Sequence, residues 1–470
     1  MSSHPRPRHV VWITTDHMRY DCVGANGNPA VRTPALDRLA GGGVSLDHCY
    51  GQNPLCMPSR VSFMTGQYPC RTGVTCNGPA LPPERGPACA QVFGAGGYAT
   101  AQVGKLHFEP HDEMDLDPAT RRRYGFDYMA LSEEPGCYED AYIRWLRAVH
   151  PEYADVMRVP RPRERMRSNG PFITWTVDAP AEVSHAGFAV DQAIHVLRGG
   201  RPCFVHVGIY APHPPLNPPR EIYDAYEGVE LPQPHWQEGE AEGKPEPLRS
   251  MLRGREDLSP EQWRERRRFF YAMCTLLDGQ VGRLVEELEA RGELDQTLIL
   301  FMSDHGDMDG DHRMVSKQPS FYREVMHLPV ILHWPDGLPA GGRVAGLTEA
   351  VDLLPTLCGL SGVHAPDTFQ GRDLTDALRG EVQEELREDA LAMHAAPGAP
   401  LWANLRTPEL SYIRYGPEAE VLYDLAEDPG EHVNHAAEQA YAERLNQMRQ
   451  RLLDRMLSAA SSALSRVRPF

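Results

Sequence analysis

Short apolar runs alternate with longer stretches of helical periodicity along most of this chain, the pattern of an α/β sheet protein. Val10–Thr14, Tyr98–Val103, Cys203–Ile209, Thr297–Met302 and Leu328–His333 are rich in β-branched or aliphatic residues and read as strands. Helices are expected over Thr33–Gly41, Pro58–Met64, Asp140–Val149 and Arg267–Arg291. In the last, Leu276, Leu277, Val281, Leu284, Val285 and Leu288 recur at about 3.6-residue spacing, which lines one helical face. From about residue 375 the texture changes. There Leu391–His394, Trp402–Tyr415 and Val421–Leu425 suggest a small antiparallel sheet, and Ala440–Leu464 a closing helix.

With 470 residues the chain is too long for one small core. The division expected is an α/β catalytic domain over 1–375 and a smaller α+β unit over 376–470. Segments 150–185 and 212–262 are long and rich in Pro, Arg, Glu and Gly, and read as loops or lids near a site.

A composition of 41% hydrophobic and 24% charged residues is ordinary for a globular protein. The net charge of −18 argues against nucleic-acid binding, which needs a basic surface, but is compatible with a small anionic substrate. Ten scattered cysteines without a C-x-x-C pair give no disulfide framework, so reduced, buried thiols are expected. No apolar run approaches the roughly 18 to 20 residues of a membrane helix. Polar Met1–Arg8 runs straight into the first strand, so a cytoplasmic protein away from membranes is expected. The oligomeric state is left open.

The polar residues follow the strands. Asp16-His17 comes after the first, Lys105 and His107 after the second, His213 after the third and Asp304-His305 after the fourth. Open α/β sheets bind ligands beyond the carboxyl ends of their strands, so these side chains are expected to converge on one site. Between them lies Cys56-Met57-Pro58-Ser59-Arg60, continued by Thr65-Gly66. Pro58 suits the first turn of a helix, which puts Cys56 at a helix N-terminus, where free N–H groups favour an anion. Arg60, one turn on, can fork toward a nucleophile or an anion, and Asn77 on the following loop can contact substrate.

Together these motifs resemble the type I, formylglycine-dependent sulfatases of the alkaline phosphatase superfamily. The resemblance rests on Cys56–Gly66, Gly104-Lys105-Leu106-His107 and Pro212-His213-Pro214-Pro215. It continues in Ser303-Asp304-His305-Gly306 with Lys317, and in Leu422-Tyr423-Asp424-Leu425 with Asp428-Pro429-Gly430-Glu431 and Asn434. It covers most of the chain. The implied fold is a large central mixed, mostly parallel sheet flanked by helices, with a smaller C-terminal antiparallel sheet plus helix. The implied activity is arylsulfatase-like hydrolysis of a small anionic sulfate ester.

By that resemblance, a formylglycine-generating enzyme converts Cys56 to formylglycine, whose hydrate attacks sulfur. Asp16, Asp304 and His305 would hold a divalent cation, Ca²⁺ in the family, with residue 56 as a further ligand. Position 17 departs from the usual second acid. His17 offers imidazole in place of oxygen, which suits Mn²⁺ better than Ca²⁺, or turns to substrate or a neighbouring ligand. Lys105 and Lys317 would neutralise sulfate oxygens. His213 would protonate the leaving oxygen, alone or with Lys317, and His107 would act as base in breakdown of the sulfated intermediate. His111, Asp307, Asp311 and His312 read as supporting or surface residues.

Three alternatives stand beside this. Phosphonate monoester and phosphodiester hydrolases share the scaffold but tend to lack the Lys-x-His pair; Lys105 and His107 favour sulfate, while His17 pulls the other way. Choline sulfatases share a Gly-Lys-x-His-Phe run, which Phe108 extends, and would need an aromatic cage from rings such as Tyr128, Trp145, Trp175 or Trp402. A non-catalytic anion-binding protein would be favoured by loss of the motif residues, and none is lost.

Overall fold

One nine-stranded sheet organises the computed structural model of the chain, which describes residues 5–110, 124–160, 172–252, 255, 257–317, 319–381, 386–417 and 419–461. Its strands are β1 (His9–Asp16), β2 (Val44–Tyr50), β3 (Ala99–Gly104), β4 (Tyr128–Leu131), β5 (Cys203–Pro212), β6 (Thr297–Ser303), β7 (His327–Leu328), β8 (Val330–His333) and β9 (Gly342–Glu349). They run in the order β4-β3-β5-β1-β6-β8-β2, with β7 and β9 also paired to β2. From β4 to β6 every pairing is parallel; β8 is antiparallel to β6. The sheet is therefore mixed and mostly parallel, as the alternating pattern implied.

Central β1 is buried along its whole length. Val11 and Ile13 join one apolar core, with the helices His185–Leu197 and Pro260–Ala290, while Val10 and Trp12 join another on the opposite face. That division follows from the two-residue period of strand side chains. The expected helix at Arg267 starts earlier, at Pro260, because Ser259 caps it by accepting the Gln262 N–H. The long segments hold each other: Thr174 bridges to Leu216 and Val177 to Pro219. Part of the first, 161–171, lies outside the described residues.

A second, antiparallel sheet is formed by β10 (Ala390–His394), β11 (Trp402–Arg406), β12 (Leu410–Tyr415) and β13 (Ala419–Asp424). The single run expected over Trp402–Tyr415 is thus two strands with a turn between them. Leu445, Met448 and Leu452 of the helix Ala442–Ala460 pack on Leu391, Met393, Leu405 and Leu422 of this sheet. The expected end of that helix, 462–464, lies outside the described residues. Among the described residues no helix is long and apolar enough to cross a membrane. All ten cysteines are free, and nine are buried.

Candidate active site

Aligned strand ends assemble the site. In register, Thr14 of β1 faces Gly208 of β5 and Met302 of β6, so the three strands finish at one level. Asp16 is the last residue of β1, and His17 turns away with a left-handed φ of 72°. At the end of β3, Gly104 also has φ of 72°, and a Cβ there would lie 2.0 Å from the Gly208 carbonyl oxygen. Only glycine fits that turn. It sends Lys105 back across the sheet, where its Nζ reaches Asp16 Oδ2 at 2.6 Å. From the end of β6, Asp304 donates its backbone N–H to the Thr15 carbonyl at 3.1 Å.

Cys56 opens the helix Cys56–Thr65, every residue of which is buried. Asn77, which is exposed, accepts the Met57 N–H through Oδ1 at 3.1 Å and so satisfies one free donor of that helix start. The Cys56 sulfur lies 2.6 Å from Lys317 Nζ and 3.4 Å from His305 Nε2. Arg60 does not fork toward residue 56. One turn along the helix it projects beneath Asp304, donating through Nε to Asp304 Oδ2 at 2.6 Å and through Nη1 to the Lys105 carbonyl at 3.0 Å. Ser59 Oγ donates to the Asp304 carbonyl at 2.6 Å. Arg60 and Ser59 therefore fix Asp304.

Asp16, Cys56, Asp304 and His305 each offer a donor atom within 4.8 Å of the other three. Asp16 Oδ1 is buried without a hydrogen-bond partner among the described residues. An orphaned carboxylate oxygen beside a second carboxylate is what a divalent cation would satisfy, so the donor set fits one. His17 belongs to a neighbouring group with Asp16 and His213. Its Nδ1 meets Asp307 Oδ2 at 2.7 Å and its Nε2 faces Lys317 Nζ at 3.0 Å. With the lysine donating to Nε2, Nδ1 carries the proton and donates to Asp307.

The charges are strongly coupled. Burial and then Asp16 push the Cys56 thiol up, but Lys317, Lys105 and His305 outweigh them and hold it below its ordinary value. Burial, Lys317 and His305 push His17 down to about 4 despite Asp307, so its ring is neutral near pH 7. Burial and Lys317 likewise depress His213. Lys105 is raised: burial opposes its charge, and Asp16 overcomes burial. For Lys317, burial is overcome by Cys56 and Asp16.

His213 borders this cluster, and His107 lies two residues beyond Lys105. The His213 ring lies 4.4 Å from His17 and 4.5 Å from Tyr210, and its Nδ1 is 2.6 Å from the Pro214 carbonyl. That leaves Nε2 for chemistry. His107 is held at φ of 60° because Glu133 Oε1 accepts the backbone N–H groups of both Leu106 and His107, at 3.0 and 2.8 Å.

Glu133 and Tyr210 are supporting residues the sequence did not single out, and Asp307, expected as a supporting or surface residue, supports His17. Glu133 fixes the His107 turn, Asp307 the His17 ring, and Tyr210 lies with its ring centre 4.9 Å from Lys105 Nζ. Each stands far from its partner's motif. Asp307, Asp311 and His312 are buried, not surface residues; His111 lies outside the described residues. The rings considered for a choline cage are divided between two packing clusters, Tyr128, Trp145 and Trp175 in one and Trp402 in the other.

A family model described as sulfatase matches residues 8–363, and one for the C-terminal region of N-sulphoglucosamine sulphohydrolase matches 310–458. An arylsulfatase of Clostridium perfringens is 26% identical over 460 residues, covering 95% of this chain and 93% of that protein. An ulvan-active sulfatase of Formosa agariphila is 30% identical over 438 residues, covering 90% of this chain and 76% of that protein. The crystal structure of a phosphonate monoester hydrolase of Agrobacterium radiobacter matches with a TM-score of 0.82 at 27% identity, covering 97% of this chain and 96% of that one.

Proposed function

The chain belongs to the sulfatase family and is a sulfuric ester hydrolase, and from that premise we propose that it cleaves a small anionic, aryl-type sulfate ester through a formylglycine made from Cys56. We assign Asp16, Asp304 and His305 as ligands of one divalent cation, Ca²⁺ before Mn²⁺, with residue 56 completing the set. The observation that carries this is the buried Cys56 sulfur between Lys317 Nζ and His305 Nε2, next to the partnerless Asp16 Oδ1.

Converted by a formylglycine-generating enzyme, residue 56 supplies a hydrated aldehyde as nucleophile, and the cation supplies positive charge to orient it and the sulfate. The chain's own residues do the rest. Lys105, from the end of β3, and Lys317, from the segment beyond the Asp311–Arg313 turn, take up charge on non-bridging sulfate oxygens. His17 acts as an acceptor for Lys317, with Asp307 fixing its tautomer, so it aims that lysine and leaves the oxygen-rich shell to Asp16 and Asp304. The proton for the leaving oxygen is assigned to Lys317, which stays charged here; His213, the other candidate acid, is held neutral by burial and by that charge and presents Nε2 as an acceptor. His107 is the base for release of sulfate. Asn77, at the mouth of the nucleophile helix, is assigned to substrate contact. Arg60 acts through Asp304.

The likeness to a phosphonate monoester hydrolase supports a second reading in which the ester is a phosphonate. The test is the ratio of kcat/KM for an aryl sulfate over an aryl phosphonate monoester, on protein co-expressed with a formylglycine-generating enzyme. A ratio well above one is expected, because Lys105 and His107, the pair that phosphonate and phosphodiester hydrolases tend to lack, are both present. A ratio well below one would assign the phosphonate chemistry instead.

A further inference from the structure

A second group of imidazoles, two of them buried and one half-exposed, lies outside the site described above. His235 comes from the long segment 212–262, His312 from the turn Asp311–Arg313, and His432 from the motif that follows Asp428-Pro429-Gly430. One ring nitrogen of each lies within 4.8 Å of one ring nitrogen of each of the others. Their ring centres are 4.9 to 5.2 Å apart.

In all three rings one nitrogen is engaged by a carboxylate and the other is left over. Glu240 receives two of them: Oε1 lies 3.0 Å from His312 Nδ1 and Oε2 lies 2.9 Å from His432 Nδ1. Glu324 Oε1 lies 3.3 Å from His235 Nε2. The leftover atoms are His312 Nε2, His432 Nε2 and His235 Nδ1. His312 is 1% exposed, and its Nε2 is buried with no hydrogen-bond partner among the described residues. His432 Nε2 and His235 Nδ1 face each other at 3.3 Å. Two nitrogens bound to one tetrahedral zinc at ordinary Zn–N lengths stand about 3.3 to 3.4 Å apart.

Carboxylates on the outer nitrogens of converging histidines are the usual support of a metal centre, since they fix the tautomer that presents a lone pair inward. Glycine keeps the place open: a Cβ on Gly430 would come within 2.5 Å of His432 Nε2 and 3.6 Å of His235 Nδ1. His312 is held at a left-handed φ of 54° and stacks on Tyr322 at 3.9 Å, so its ring is fixed in place. A cavity of about 300 Å³ lined in part by His235, Glu324 and Gly430 gives an ion a way in.

We propose that His235, His312 and His432 form a second metal site, for zinc or a similar borderline divalent ion, distinct from the carboxylate-rich site at Asp16 and Asp304. Three imidazoles select such an ion over calcium, which prefers oxygen. A water from the cavity lined by His235 and Gly430 supplies the fourth position. The ion ties the segment 212–262 and the Asp311–Arg313 turn to the C-terminal motif, so its role is structural.

The test is cobalt(II) titration of chelator-stripped, full-length protein under saturating calcium, which fills the carboxylate site. Binding of one equivalent with visible absorption bands of a tetrahedral ion is expected. His235→Gln, a half-exposed position that does not threaten folding, should weaken binding at least ten-fold and erase the bands; His432→Gln should do the same. Zinc should raise the melting temperature of the wild type and not that of His235→Gln. Absence of cobalt binding, bands unchanged in His235→Gln, or bands abolished by calcium would each overturn the proposal.

Discussion

The Lys317 ammonium sits 2.6 Å from the Cys56 sulfur. It is the nearest charged group to the residue assigned as nucleophile, and it also donates to His17 at 3.0 Å. Removing a preorganised cation of this kind lowers turnover by about 10² to 10³-fold. Lys317→Ala is expected to lose kcat for an aryl sulfate on that scale, with a smaller change in KM. Steady-state kinetics on matured enzyme checks it, and an unchanged kcat would remove Lys317 from the reaction.

Glu133 touches no candidate reacting group, yet it holds the His107 turn through two backbone N–H groups. Glu133→Ala leaves both donors buried and lets the left-handed turn relax. A kcat loss of about ten-fold or more is expected, since small misplacements of a positioned group are costly. Glu133→Gln keeps an accepting oxygen and should restore most of the rate. If the alanine and glutamine variants behave alike, the turn does not position His107.

Chelation should abolish sulfatase activity. With the cation gone, the buried carboxylates of Asp16 and Asp304 are left with Lys105, Arg60 and His305 to compensate them. Added Ca²⁺ is expected to restore the rate, and Mn²⁺ to do so less completely, measured as initial velocity against free metal. Full activity in strongly chelated protein would rule out the cation.

Asp278 gives a stability effect that depends on pH. Its carboxylate accepts the N–H groups of Ala35 and Leu36 at 3.1 and 2.8 Å, capping the helix Pro34–Gly41, but burial pushes it from 3.8 up to about 7. A raised acid binds a proton in the folded state that it releases on unfolding. Its contribution is therefore complete below about pH 4 and is lost as pH rises through about 7, with a slope up to about 1.4 kcal/mol per pH unit. Denaturant unfolding at pH 5 and pH 8 should show the wild type losing stability relative to Asp278→Asn. An equal gap at both values would place the Asp278 pKa outside this window.

Arg387 ties the C-terminal region to the main sheet. Its guanidinium reaches Asp352 Oδ2 at 2.8 Å and Glu349 Oε2 at 2.9 Å, and both carboxylates are fully buried. Arg387→Met leaves the buried Asp352 without its cation and Glu349 with Arg455 alone, and a loss of about 3 to 5 kcal/mol is expected from urea denaturation.

Most of the sheet was legible because β1, β3, β5 and β6 are continuous apolar runs buried on both faces. Strand β2 was not, because Asp47 and His48 interrupt it where it nears the edge of the sheet. Nor was β9, whose two glycines and arginine break the apolar pattern. The candidate site was legible wherever a residue ends or directly follows a strand, as Asp16, Lys105 and Asp304 do. Arg60 was visible as a residue but not in its direction, since only the packed helix turns it under Asp304. Glu133 and the histidines 235 and 432 carry no local pattern, and Asp307 and His312 stand near a motif that does not show their partners; the fold alone brings them together.

The helix that carries Cys56 is buried from end to end. By the proposed maturation, an enzyme that converts Cys56 must reach it before the fold closes around this helix. Maturation would then be a race between two clocks, synthesis and folding. A chain that folds first would stay a thiol, and raising the supply of the modifying enzyme afterwards should recover nothing unless the protein is unfolded again.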